Sequence, residues 1–151
     1  WLMKDMLKDP MFTRQMIMDH YEYPRNHSLL DEGDYIEKHM DSESCIDDIK
    51  VQMVVKDNII EDVRFDGIAC TISTASTSIM SELLKGKSLD EAEIIVNEYN
   101  KMIFEDNYDE DILESAIVFS NVSKQANRIK CATIGWEAAQ MIIDESRNKD
   151  E

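Results

Sequence analysis

Residues 50–65, Lys-Val-Gln-Met-Val-Val-Lys-Asp-Asn-Ile-Ile-Glu-Asp-Val-Arg-Phe, constrain the fold more than any other stretch of the chain. Val51, Met53 and Val55 recur at every second position, Asp57-Asn58 supplies a two-residue turn, and Val63 and Phe65 resume the alternation. This pattern predicts a β-hairpin with one apolar face. An isolated hairpin is marginal in water, so that face needs helices to cover it. The following residues, Asp-Gly-Ile-Ala-Cys-Thr-Ile-Ser from 66 to 73, read as a continuation of the second strand or the start of a third. Residues 26–47 read as polar and irregular.

Helical signals surround the hairpin. Ahead of it, Asp9 suits an N-cap, Pro10 the first helical position and Pro24 a stop, with Phe12, Met16, Ile17 and Tyr23 as the apolar face. After it, a Ser/Thr/Ala-rich run from Ser73 predicts a helix closed near Gly86. Ser88 and Glu91 have capping-box spacing, and Leu89, Ala92, Ile95, Val96 and Tyr99 form the stripe of the next helix. Residues 110–122 predict a further short helix. A last one opens at Cys131, with Ile134, Ala138, Met141 and Ile142 inward. Strands early and helices late give an α+β fold: a small antiparallel three-stranded sheet with helices packed on one face.

The 151 residues are expected to form a single domain, 1–151, large enough to bury its own core. The longest aliphatic or Met runs are a few residues, far from the roughly 20 a membrane span needs. No basic start with an apolar stretch suggests export, so a cytoplasmic location is expected. A formal net charge of −16 repels phosphate backbones, which argues against nucleic acid and anionic membranes as partners. Such a surface draws basic partners or cations, or simply keeps a small protein in solution.

The three cysteines, Cys45, Cys70 and Cys131, cannot form a closed disulfide set. Reduced thiols, metal ligands and a nucleophile all remain open. Each thiol falls at a boundary between elements, where side chains from distant segments converge. Asp47 lies two residues after Cys45 and points the same way in an extended segment. Three thiolates and a carboxylate would suit tetrahedral zinc, but gaps of 25 and 61 residues match no short zinc-finger pattern.

Four stretches taken together are more specific. Residues 14–26 (RQMIMDHYEYPRN), 45–47 (CID), 61–80 (EDVRFDGIACTISTASTSIM) and 128–136 (RIKCATIGW) resemble, in order and spacing, the SufU group of the IscU-like family of iron–sulfur cluster biogenesis proteins. Lys130 stands where IscU-type scaffolds carry histidine, and the segment 88–122 resembles the longer helical insertion of the SufU group. The resemblance implies a zinc-containing sulfurtransferase that takes persulfide sulfur from a SufS-type cysteine desulfurase. It implies zinc ligands at Cys45, Asp47, Cys70 and Cys131. It makes Cys45 the acceptor thiol, released when a histidine of the desulfurase takes its place on the metal, and gives Arg128 a role beside the site. Arg128 and Lys130 would offset the net −2 charge of such a centre. The downstream recipient of sulfur is not implied.

The chain departs from the family in places. Glycines of the family pattern are Ile46 and Ala69 here, and a proline is Glu43. A β-branched residue at a positive φ would be strained, so the loop carrying Cys45 and Asp47 is expected to sit differently. The competing reading is a non-enzymatic scaffold holding an iron–sulfur cluster on Asp47 and the three cysteines. A third is an interaction domain with inert thiols. Of the histidines, His20 is expected to stabilise the loop after the first helix, and His27 and His39 to lie at the surface.

Overall fold

The computed structural model describes residues 6, 8–30, 33–41 and 47–149. Helix α1 (Pro10–Glu22) opens on Asp9, whose side chain accepts the Met11 N–H, with Pro10 in the first turn. Three strands follow: β1 (Ile36–Asp41), β2 (Asp48–Lys56) and β3 (Ile59–Ile68). They form one antiparallel sheet in the order β1-β2-β3. The β2–β3 turn is the expected one, with Asp57 and Asn58 both left-handed at φ 54° and 65°. Beyond the sheet come α2 (Thr71–Leu84), α3 (Leu89–Ile103), a single turn α4 (Glu110–Leu113), a 3₁₀ segment (Glu114–Lys124) and α5 (Ala126–Lys149). The Ser88/Glu91 capping box is present at α3, and every residue of its expected stripe is buried.

Ile49, Val51, Met53, Val63 and Phe65 face one continuous apolar cluster with α2, α3 and α5. The other face is crossed by the strap after α1. There Gln52 exchanges two hydrogen bonds with the Leu30 backbone, at 2.9 and 3.0 Å, and Arg64 Nε donates to Ser28 O at 2.9 Å. Among the described residues, helices therefore cover one face only.

Four expectations need correction. Residues 66–68 continue the second strand of the hairpin, one of the two readings, and the sheet's third strand is β1, inside the stretch read as irregular. As an edge strand it needs little apolar signal, and its inward positions are Ile36, Lys38 and Met40. Residues 110–124 form an α-turn and a long 3₁₀ segment rather than one helix. Glu114 takes φ 48°, and the consecutive buried residues Ala116 to Phe119 meet α1, α2, α3 and α5 on different sides. The last helix opens at Ala126, so Cys131 lies in its second turn rather than at its start. Tyr23 and Met141, expected inward, are 70% and 45% exposed. Among the described residues, no helix is long and apolar enough to cross a membrane.

Candidate metal centre

Gly67, paired with Ile49 across the sheet, lets the end of β3 press against the start of β2. Its φ is +133°, and a Cβ there would overlap the Asp48 carbonyl oxygen and lie 2.9 Å from Ile49 Cα. That approach sets Cys70 beside Asp47. The Cys70 N–H donates to Asp47 Oδ1 at 2.8 Å, and Cys70 Sγ lies 3.9 Å from Asp47 Oδ2. Cys70 is also the N-cap of α2, with its sulfur accepting the Ser73 N–H at 3.5 Å. A side-chain acceptor here satisfies a backbone donor that the helix leaves open.

Cys131 arrives from α5, and hydroxyl groups fix the depth of that helix. Ser76 Oγ donates to Ala132 O at 2.6 Å, and Tyr99 OH donates to the same oxygen at 2.7 Å. Trp136 Nε1 donates to Ser76 Oγ at 3.0 Å, and the Trp136 ring stacks on Tyr99 with centroids 3.9 Å apart and planes 6° from parallel. Burial pushes the Tyr99 phenol well above its ordinary range, so it remains a proton donor. One turn along, Gly135 leaves no room for a Cβ against Thr77. With α2 and α5 this close, Ser73 Oγ reaches Cys131 O at 2.9 Å.

One ligand atom each from Asp47, Cys70 and Cys131 lies within 4.8 Å of the others. Asp47 and Cys131 are 1% and 5% exposed, whereas Cys70 is half-buried and forms the accessible side. Ser73 sits among them: its hydroxyl hydrogen-bonds to Asp47 Oδ2, contacts Cys131 O, and lies 3.5 Å from Cys70 Sγ. Two sulfurs and a carboxylate at this spread match the donor types that hold zinc.

Three of the expected ligands thus come together, and the fourth, Cys45, lies outside the described residues, as do Ile46 and Glu43. Ala69 has no positive φ, so alanine is unstrained there. Arg128 is exposed, three residues before Cys131 on α5, and enters no ion pair among the described residues. Lys130 departs from its expected part: its ammonium pairs with Glu137 at 2.7 Å instead of facing the centre. His20 is buried, with Nδ1 2.7 Å from Ser78 Oγ, which also accepts the Arg25 N–H at 2.9 Å, so it does hold the loop after α1. His27 and His39 are exposed and pair with Asp66 and Asp48. Sequence reasoning missed Ser73. Its only trace was a hydroxyl three residues after a cysteine at a strand-to-helix junction, the spacing of a capped first turn.

The model of the NifU-like N terminal domain family matches residues 12–151. The zinc-dependent sulfurtransferase SufU of Bacillus subtilis (strain 168) is 38% identical over 128 residues, 84% of this chain and 86% of that protein. The iron–sulfur cluster assembly scaffold protein IscU of Streptococcus pyogenes serotype M1 is 33% identical over 134 residues, 88% and 83%. A crystal structure presented as a candidate iron–sulfur cluster assembly scaffold for the SUF system, from Fervidobacterium islandicum AW-1, superposes with a TM-score of 0.79. It is 28% identical and covers 84% of this chain and 93% of that one.

Proposed function

The chain belongs to the NifU-like N terminal domain family of iron–sulfur cluster assembly proteins, and from that premise we propose that it is a zinc-dependent acceptor of persulfide sulfur. The observation that carries this reading is the meeting of Asp47, Cys70 and Cys131, ligand atoms within 4.8 Å, beneath one half-buried opening. Zinc would be held by these three and by Cys45, which two peptide units keep within about 7 Å of Asp47, Cα to Cα. A bound zinc ion supplies positive charge that keeps its cysteines in the thiolate form at neutral pH.

The chain's own groups do the rest. Cys70 Sγ receives the Ser73 N–H, which holds the sulfur at the start of α2. The Cys45 thiolate attacks the outer sulfur of the donor persulfide. A bond forms between Cys45 Sγ and that sulfur, the donor's S–S bond breaks, and the electron pair leaves on the donor cysteine thiolate. The proton on the outer sulfur travels with it. The donor is a cysteine desulfurase of the SufS type, and the setting is the cytoplasm. Arg128, exposed one turn before Cys131, is free to meet the incoming partner.

A second reading, a scaffold for an iron–sulfur cluster, draws on the IscU relatives and on the same donor set. Lys130 in place of histidine, engaged with Glu137, counts against it. Metal analysis of protein purified without oxygen separates the two. One zinc per chain and no visible absorption supports the acceptor, and a brown cluster band supports the scaffold. Cys45→Ala should abolish stimulation of desulfurase turnover. Stimulation equal to the parent's would sink both the thiol's role and the acceptor reading.

A further inference from the structure

Both carboxylate oxygens of Asp47 meet the first turn of α2. Oδ1 takes the Cys70 N–H at 2.8 Å, and Oδ2 takes the Ser73 hydroxyl. Ser73 is fully buried, and the remaining contacts of its hydroxyl are to the same centre: Cys131 O at 2.9 Å and Cys70 Sγ at 3.5 Å. A serine hydroxyl has one proton, and Asp47 Oδ2 and Cys131 O are both acceptors, so the hydroxyl donates to the carboxylate and meets the α5 carbonyl only as a close contact.

Building on the zinc reading above, we infer that Ser73 is the positioning residue of the centre: it fixes which carboxylate lone pairs of Asp47 point toward the metal. One consequence distinguishes this from a hydroxyl that merely packs α2 on α5: Ser73 acts on the metal mainly through Asp47, its contact to Cys70 Sγ at 3.5 Å being the longer one, so its removal matters little once Asp47 can no longer ligate.

The test is the rate at which a colorimetric zinc chelator strips metal from the full chain, purified with zinc and kept reduced. Partners behind a metal ligand are commonly worth 10–100-fold in affinity. Ser73→Ala is expected to lose zinc about tenfold faster or more, and Ser73→Thr, which keeps the hydroxyl, to stay within a few-fold of the parent. Asp47→Asn is expected to lose zinc faster still, with Ser73→Ala adding nothing in that background. After exchange with Co²⁺, Ser73→Ala should shift the visible d–d bands while the thiolate charge-transfer band remains, because the change falls on the oxygen ligand. Parental zinc loss and unchanged cobalt bands in Ser73→Ala overturn the inference. So does a Ser73→Ala effect that is fully retained in Asp47→Asn. A parent chain that carries no zinc and takes up no cobalt overturns the zinc reading itself, and this inference with it. That result differs from a metal-loaded parent whose Ser73 proves inert.

Discussion

The two ends of α2 bury the same kinds of polar side chain, yet they behave as opposites. In its C-terminal half, Ser78 meets His20 Nδ1 and the Arg25 N–H, and Ser81 Oγ donates to Ser78 O at 2.6 Å and receives Asn26 Nδ2 at 3.0 Å. Donors and acceptors match there, with no surplus charge, and the cluster locks the loop after α1 to the helix. At the N-terminal end, two thiols and a carboxylate crowd around one hydroxyl at the positive end of the helix. Removing their protons leaves three negative charges that only a cation can hold together in a buried place. A buried polar cluster becomes a site when its groups are in excess of one sign, not because it is polar.

The strongest way to break this contrast is to delete ligands at one end and hydroxyls at the other. Cys70→Ala or Cys131→Ala should drop bound zinc from one per chain to below about a tenth, read by metal analysis after gel filtration. Ser78→Ala should keep zinc at one per chain while costing about 1–3 kcal/mol of stability, because it leaves buried His20 and Arg25 groups short of a partner. Zinc loss in Ser78→Ala would show the two ends to be one cooperative unit. Removing the metal from the parent should also lower its melting temperature, since binding that favours the folded state is stability.

A middle-sized effect is expected from pH, and only at the closed end. Burial, reinforced by the Arg25 charge, lowers the His20 pKa from 6.5 to about 4. The folded state thus refuses a proton that the unfolded chain accepts, and stability is lost as pH falls from about 6.5 to about 4, then levels off. The full shift would be worth about 3 kcal/mol. Glu82 Oε1 lies 3.7 Å from His20 Nε2 and favours the charged ring, so about 3 kcal/mol is an upper bound. The measurement is denaturant unfolding of the parent and of His20→Gln across that window. The difference between the two curves should shrink steadily toward acid, and a constant difference would count against a buried neutral histidine.

How much of this was legible depended on whether a feature was local. The β2–β3 hairpin was readable because the alternation of Val51 with Met53 and of Val63 with Phe65, and the Asp57-Asn58 turn, are properties of neighbouring residues. Strand β1 was not, because an edge strand shows only Ile36 and Met40 around Lys38, whose charge is answered by Glu145 on α5 at 3.2 Å. The start of α5 was hidden because Ala126, Asn127 and Arg128 are exposed and carry no apolar period. For the site, the i+2 spacing offered Asp47 beside Cys45, the cysteine gaps said little by themselves, and the resemblance to a family joined the four into one ligand set. Ser73 escaped both routes. Its meaning lies in contacts 26 and 58 residues away, and a buried face of α2 built from serines and threonines gives no periodic apolar signal.

The smallest effect tests where the site's charge is balanced. If nearby cations neutralise the thiolates, Lys130, next to Cys131, is the natural one. But its ammonium sits 2.7 Å from Glu137 two turns along α5, with both side chains 42% exposed. A pair so exposed is worth about 0–1 kcal/mol, and its field is directed at a carboxylate rather than at sulfur. Lys130→Ala should therefore lower the melting temperature by at most a few degrees and leave zinc loss to the chelator within about twofold of the parent, far short of Ser73→Ala. Glu137→Gln, which frees the ammonium, should not slow zinc loss either. Should Lys130→Ala release zinc as fast as Ser73→Ala, the α2 N-terminus and its hydroxyl would not suffice to hold the anionic cluster. The boundary between the two kinds of buried polar region would then have to be drawn around α5 as well.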